Sequence, residues 1–207
     1  MTLISEPVRA ELVRAYAAPD RHYHSLRHIE ALLRLADAYA DATADRDAVE
    51  AAIWFHDAIY DTRRHDNEER SANLAVARLT GTAAQNRIAR IAAMIRATAG
   101  HRVPDFADAG AAQDCALFLD MDLAILGAPA AEFEAYEHAV RREYDWVTEP
   151  QWRLGRRAVL ASFLARPAIY ATAQFRARRE AAARRNLKRA IARLDDASSE
   201  DRSRPAP

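Results

Sequence analysis

Residues 48–60 read AVEAAIWFHDAIY, an apolar run interrupted by Glu50 and by the adjacent pair His56-Asp57. In so uniformly apolar a stretch, periodicity alone does not separate a buried helix from a buried strand. Its alanine-rich lead-in favours helix, because alanine loses no side-chain entropy there. The same preference runs through the chain: 49 of its 207 residues are alanine and only five are glycine. The composition predicts an all-α protein and excludes an all-β sandwich or barrel. At this length one compact domain with a real core is the expectation.

Upstream of this run, Leu12, Val13 and Tyr16 fit a short helix that stops before Pro19. Ile29, Leu32, Leu33, Ala36 and Tyr39 recur at helical spacing behind a candidate N-cap, Ser25. Downstream, the polar loop DTRRHDNEER leads to a helix through Ala72, Leu74, Val76 and Leu79, and then to one over about 83–99 that Gly100 should stop. The segment CALFLDMDLAILG, residues 115–127, is again apolar on most faces. Helices are expected after Pro129, over about 151–165, and over about 169–194. A helical domain over 1–194 followed by a disordered acidic tail, 195–207, is the expected organisation.

Thirty basic residues balance thirty acidic ones, and Lys188 is the only lysine. Zero net charge argues against a dedicated nucleic-acid binder, which would carry a basic excess. One stretch departs from neutrality: between Arg176 and Arg193 eight basic residues meet only Glu180. A phosphate- or nucleic-acid-binding face using Arg184, Arg185 and Arg189 is one reading. A solvated helix face offset by the following DDASSED is the other. The lone Cys115 excludes an internal disulfide, and no run suits a signal peptide or a membrane span, so a soluble cytoplasmic protein without a membrane partner is expected.

Histidine placement is what composition does not explain. Five of the seven histidines, His22, His24, His28, His56 and His65, fall within 44 residues. A buried imidazole and carboxylate side by side cost several kcal/mol of hydration unless something satisfies both, and a divalent cation does. Adjacent helical residues point about 100° apart, so other helices must complete such a site. YHSLRHIEALL offers His24 and His28, FLDMDLAILG offers Asp120 and Asp122, and IRATAGH offers His101. Imidazole nitrogens with carboxylate oxygens suit Mn, Ni, Co, Fe, Zn or Mg. His101 serves a second metal, a phosphate oxygen, or simply the negative end of its helix. Glu68 in DNEERSA is a candidate general acid or base, or an ordinary helix-start glutamate. Arg21 and Arg141 are candidate phosphate clamps.

In order and type these residues resemble the HD-domain superfamily of metal-dependent phosphohydrolases, and more narrowly, through YHSLRHI, FHDAIYD, NEERSA and FLDMDLAILG, its small bacterial predicted hydrolases. The resemblance spans residues 20–190. It implies an all-helical fold with His28, His56, Asp57 and Asp122 as metal ligands, His24 and Asp120 being the alternatives at the first and last positions. It further implies water activated by a divalent metal against a nucleotide or small phosphorylated substrate, with Asp57 orienting that water. The rival reading is a non-catalytic metal- or nucleotide-binding sensor with the same fold.

Overall fold

Proline and helix-end chemistry set the segmentation seen in the structure, a computed structural model that describes residues 3–202, with side chains through residue 196. Nine α-helices and two short 3-10 turns, with no strand, make up the described residues, so the protein is all-α. The chain divides into two compact units, the first ending at Asp122 and the second beginning at Leu123. No helix is long and apolar enough to cross a membrane among the described residues.

The first unit holds six helices: α1 (Glu6–Tyr16), α2 (Leu26–Ala38), α3 (Arg46–Phe55), α4 (Asn67–Leu79), α5 (Gln85–Ala97) and α6 (Ala109–Asp122). Pro7 sits in the first turn of α1, where its missing N–H costs nothing. Ser25 occupies the N-cap of α2 in extended backbone, although its hydroxyl makes no capping bond. The residues of α3 from Ala51 to Phe55 are all buried, so it is a central helix rather than an amphipathic surface one. It packs against α2, α4, α5 and α6. Ile29 and Leu32 of α2, Ile91 and Ile95 of α5, and Phe118 of α6 close the core around Ile53 and Phe55.

Gly100 does not terminate α5 as expected. The left-handed residue is His101, at φ 46°, a conformation that is unfavourable for a residue with a Cβ and that needs surrounding contacts to hold it. The apolar run 115–127 is helical through Asp122 and continues as a 3-10 turn, Leu123–Gly127.

The second unit contains that turn with α7 (Ala130–Glu143), α8 (Glu149–Leu164) and α9 (Ala173–Arg202). Asn186 donates to the carbonyls of Leu126 and Ala128, both at 2.9 Å, tying α9 to the turn. A Cβ on Gly127 would lie 2.7 Å from the Cβ of Arg179, so only glycine allows this approach. Arg184 is engaged by Glu180 and by the carbonyls of Leu164, Arg166 and Pro167, which makes it a packing residue rather than part of a nucleic-acid face. α9 starts later than expected and continues as helix through Arg202, into the stretch read as a disordered tail. Asp195 in that stretch pairs with Arg157 at 2.7 Å. Residues 203–207, the end of that tail, lie outside the described residues.

The entry to α3 depends on one buried carboxylate. Asp114 of α6 accepts from the backbone N–H groups of Ala44 and Asp45 at 2.8 and 2.9 Å, while Asp45 caps Ala48 and pairs with Arg87. Asp114→Ala leaves two donors without an acceptor and should cost about 2–3 kcal/mol in urea unfolding. Asp114→Asn, which keeps one acceptor oxygen, should lose clearly less. Equal losses would mean that packing, not the paired acceptors, matters at this position.

Candidate metal centre

The centre is built where α3 stops. The helix ends at Phe55, and His56 continues one residue further in helical backbone, bonded to the carbonyl of Ala52 at 3.0 Å. The last carbonyls of a helix lack intrahelical partners. Here side chains supply them. His56 Nδ1 meets Ile53 O at 2.8 Å, Tyr16 Oη donates to Trp54 O at 3.0 Å, and Arg21 donates to Asp57 O at 2.6 Å and Ala58 O at 3.0 Å. A carbonyl only accepts, so Nδ1 of His56 carries a proton, and Nε2 is the ring atom left to face the carboxylates or a cation. Beyond the pair, Ser71 Oγ accepts from Ile59 N at 3.0 Å and donates to Ile59 O at 3.2 Å, holding the loop down on α4.

Three elements then meet at Nε2 of His56. Asp57 Oδ2 lies at 3.0 Å, His28 Nε2 of α2 at 3.3 Å and Asp122 Oδ1 of α6 at 3.6 Å. His28 Nε2 is itself 3.0 Å from Asp122 Oδ1 and 4.0 Å from Asp57 Oδ2. The ligand atoms of His28, His56 and Asp122 all lie within 4.8 Å of one another. Donor atoms about 2.0–2.2 Å from a shared cation stand about 2.8–3.6 Å apart when adjacent, and about 4.2 Å apart when opposite in an octahedron. The separations among His28, His56 and Asp122 follow that pattern, so these three can hold a divalent ion, with Asp57 Oδ2 beside them at 3.0 Å from His56 Nε2.

The electrostatics make the same case. Burial disfavours a charged His56, yet the carboxylates of Asp57 and Asp122 outweigh it and hold the imidazole pKa well above its usual value. Burial likewise pushes the Asp57 carboxyl up, but the charges of His56 and His24 overcome it and hold that group low. Asp122 is also held well below the carboxylate range: burial opposes this, and bonds from His101, His28 and His56 prevail. Two carboxylates kept ionised in a buried pocket require positive charge, supplied either by a proton on the imidazoles or by a metal that displaces it.

The other candidates fall into distinct places. His24 stands outside the group, its ring stacked on Tyr60 at 4.2 Å. His101 Nε2 lies 2.8 Å from Asp122 Oδ2, which orients that carboxylate and accounts for the left-handed backbone at residue 101. Asp120 is buried but two positions from Asp122, hence about 200° away around α6 and turned from the cluster. Glu68, in the first turn of α4, makes no ion pair or hydrogen bond with the four. Its neighbour Glu69 is held by Arg96 at 2.6 Å. Arg21 braces carbonyls rather than reaching for a phosphate. Arg141, in the second unit, has its Nε, NH1 and NH2 engaged by Glu149, Tyr144 O and Val147 O. Sequence reasoning missed Tyr16, Tyr23 and Ser71. Tyr23, whose ring lies 4.9 Å from that of His28, adjoins the histidine cluster and was within reach of notice; Tyr16 reads only as a core aromatic.

No family model, curated protein or solved structure matches this chain.

Titration of Mn²⁺ or Zn²⁺ into the full chain should show one saturable event that releases protons, because the ion must displace the one held on His56. Affinity should therefore rise with pH through 6.5, the ordinary histidine value, and level off only above the raised value of His56. His56→Ala should abolish binding, and His101→Ala should weaken it by roughly 10–100-fold, the usual effect of losing a residue that orients a ligand. Undiminished binding by His56→Ala would remove this centre from consideration.

Proposed function

We propose that the first unit is a divalent-metal-dependent phosphohydrolase acting on a nucleotide or another small phosphorylated compound. The observation that carries this reading is the convergence of two imidazole nitrogens and two carboxylate oxygens at the end of α3. These are the four residues that the HD-domain resemblance implies as ligands. A divalent cation held there supplies Lewis acidity, polarising water and a phosphoryl oxygen.

The chain's own residues divide the remaining work. His28 and His56 are almost fully buried and serve as fixed donors. Asp57 and Asp122 keep 16% and 13% of their side chains accessible, so the cluster meets solvent through its carboxylates. Asp57 is thereby the group able to accept a hydrogen bond from an incoming water and orient it. His101 fixes the far oxygen of Asp122 and prevents that carboxylate from rotating away. We assign general acid or base to Glu68, whose carboxylate no ion pair occupies among the described residues, in preference to Glu69, which Arg96 neutralises.

The test is phosphate release from a panel of nucleoside mono-, di- and triphosphates and simple phosphomonoesters, with Mn²⁺, Ni²⁺, Co²⁺, Fe²⁺, Zn²⁺ or Mg²⁺ added. Wild type should turn over at least one substrate in a metal-dependent way, and Asp57→Ala and His28→Ala should fall to background. Glu68→Gln should lower kcat by roughly 10²–10⁴-fold with little change in KM, the usual contribution of a general acid or base. Metal binding without turnover of any of the panel would favour the sensor reading.

A further inference from the structure

The second unit carries a groove between α7, α8 and α9 of about 270 Å³, just below the usual range for drug-sized ligands and so suited to a small one. Its floor is apolar: Phe133, Trp152 and Ala190 line it and are buried. Its walls are charged, and the two signs do not cancel. Glu149 is shared by Arg141, at 3.2 Å, and Arg153, at 2.9 Å. Glu134 is shared by Arg193, at 2.8 Å, and Arg189, at 3.8 Å. Glu137 is taken by the buried Arg156. Each shared carboxylate faces two guanidinium groups, so each wall keeps an excess positive charge.

The two walls differ in what they can still do. Arg141 has every guanidinium nitrogen engaged, two of them by backbone carbonyls, and its group lies over the ring of Trp152 at 5.3 Å. It is part of the frame. Arg189 and Arg193 stand one turn apart on α9, hence on one face. Among the described residues Arg193 uses NH2 alone, toward Glu134, and Arg189 uses NH2 toward Asn186 and Nε toward Glu134. Their remaining N–H groups present a two-pronged donor set above an apolar floor, the geometry that guanidinium groups offer an oxyanion.

We propose that this groove binds a small organic anion with an apolar body, a carboxylate or phosphate monoester, held by Arg189 and Arg193 over Phe133 and Trp152. This site is independent of the metal centre and of the reading given to it. Glu134 competes with the ligand for the same two cations and sets its affinity.

Calorimetric titration of the full chain in EDTA, which keeps metal out of the first unit, tests this with phenyl phosphate, benzoate, inorganic phosphate and benzylamine as probes. Phenyl phosphate or benzoate should bind saturably at one site, whichever is tighter naming the oxyanion preferred. Inorganic phosphate, lacking the apolar body, should bind at least about tenfold more weakly than phenyl phosphate. Arg189→Gln with Arg193→Gln should weaken binding by about tenfold or more, Glu134→Gln should strengthen it by about threefold or more, and His56→Ala should leave it unchanged. No saturable binding of either aromatic anion overturns the proposal. So does benzylamine binding as tightly as they do, or loss of binding in His56→Ala with retention in the arginine variant. Far-UV circular dichroism confirms that the exposed-arginine variant is folded, and the gain expected from Glu134→Gln cannot arise from misfolding.

Discussion

The end of α3 concentrates negative charge, and the first unit is organised around that fact. A helix C-terminus carries about half a negative charge on its unpaired carbonyls. Here it is followed at once by the carboxylate of Asp57 and faced by that of Asp122, all largely buried. Arg21 and Tyr16 donate to the carbonyls but leave the carboxylates to the imidazoles. With one ring nitrogen of His56 committed to Ile53 O, its other nitrogen faces two carboxylate oxygens and a second imidazole nitrogen. Lone pairs at 3.0–3.6 Å from one another repel unless a positive centre stands among them.

Such a cluster survives only on a stiff frame, and the frame lies outside the four residues. The loop after Asp57 is pinned at Ile59 by Ser71 and at Asp61 by Asn67, so the pair cannot swing out into solvent. Phe118 closes edge-on against the His56 ring at 5.7 Å, excluding water from the core side. His101 accepts an unfavourable backbone conformation to reach Asp122, a sign that orienting this carboxylate outweighs the local strain.

The helical fold was legible because alanine and sparse glycine act locally, residue by residue. The site was legible for a different reason: a His-Asp pair inside an apolar run violates the hydrophobic pattern, and such violations mark places where something other than burial decides the residue. What stayed hidden depends on long-range partners. Tyr16 looks like one more core aromatic until its hydroxyl meets a carbonyl 38 residues away. Arg21 and Arg141 looked like phosphate clamps because an isolated sequence does not show that carbonyls already occupy them. Gly100 looked like the helix stop because glycine usually takes the left-handed position, and only the Asp122 contact explains why His101 does so instead. The boundary at Asp122–Leu123 leaves no clear mark either, since no proline or glycine stands at it and Asp122 reads as a ligand rather than as a break.

Zero net charge, which at first reads as blandness, is the sum of two local imbalances of opposite sign. In the first unit, Asp57 and Asp122 are kept ionised in one pocket by protonated imidazole, a positive charge that a cation can replace. In the second, the groove's guanidinium groups exceed its carboxylates, and the surplus is of the kind an anion meets. Surface ion pairs that merely solubilise a helix tend to close in equal pairs, as Arg64 does with Asp66 and Arg78 with Glu11. Carboxylates shared between two arginines, or crowded two to a pocket, do not close in that way. Where a chain of balanced composition leaves its charges unbalanced at short range, a bound proton, a solvent ion or a ligand is what completes the balance.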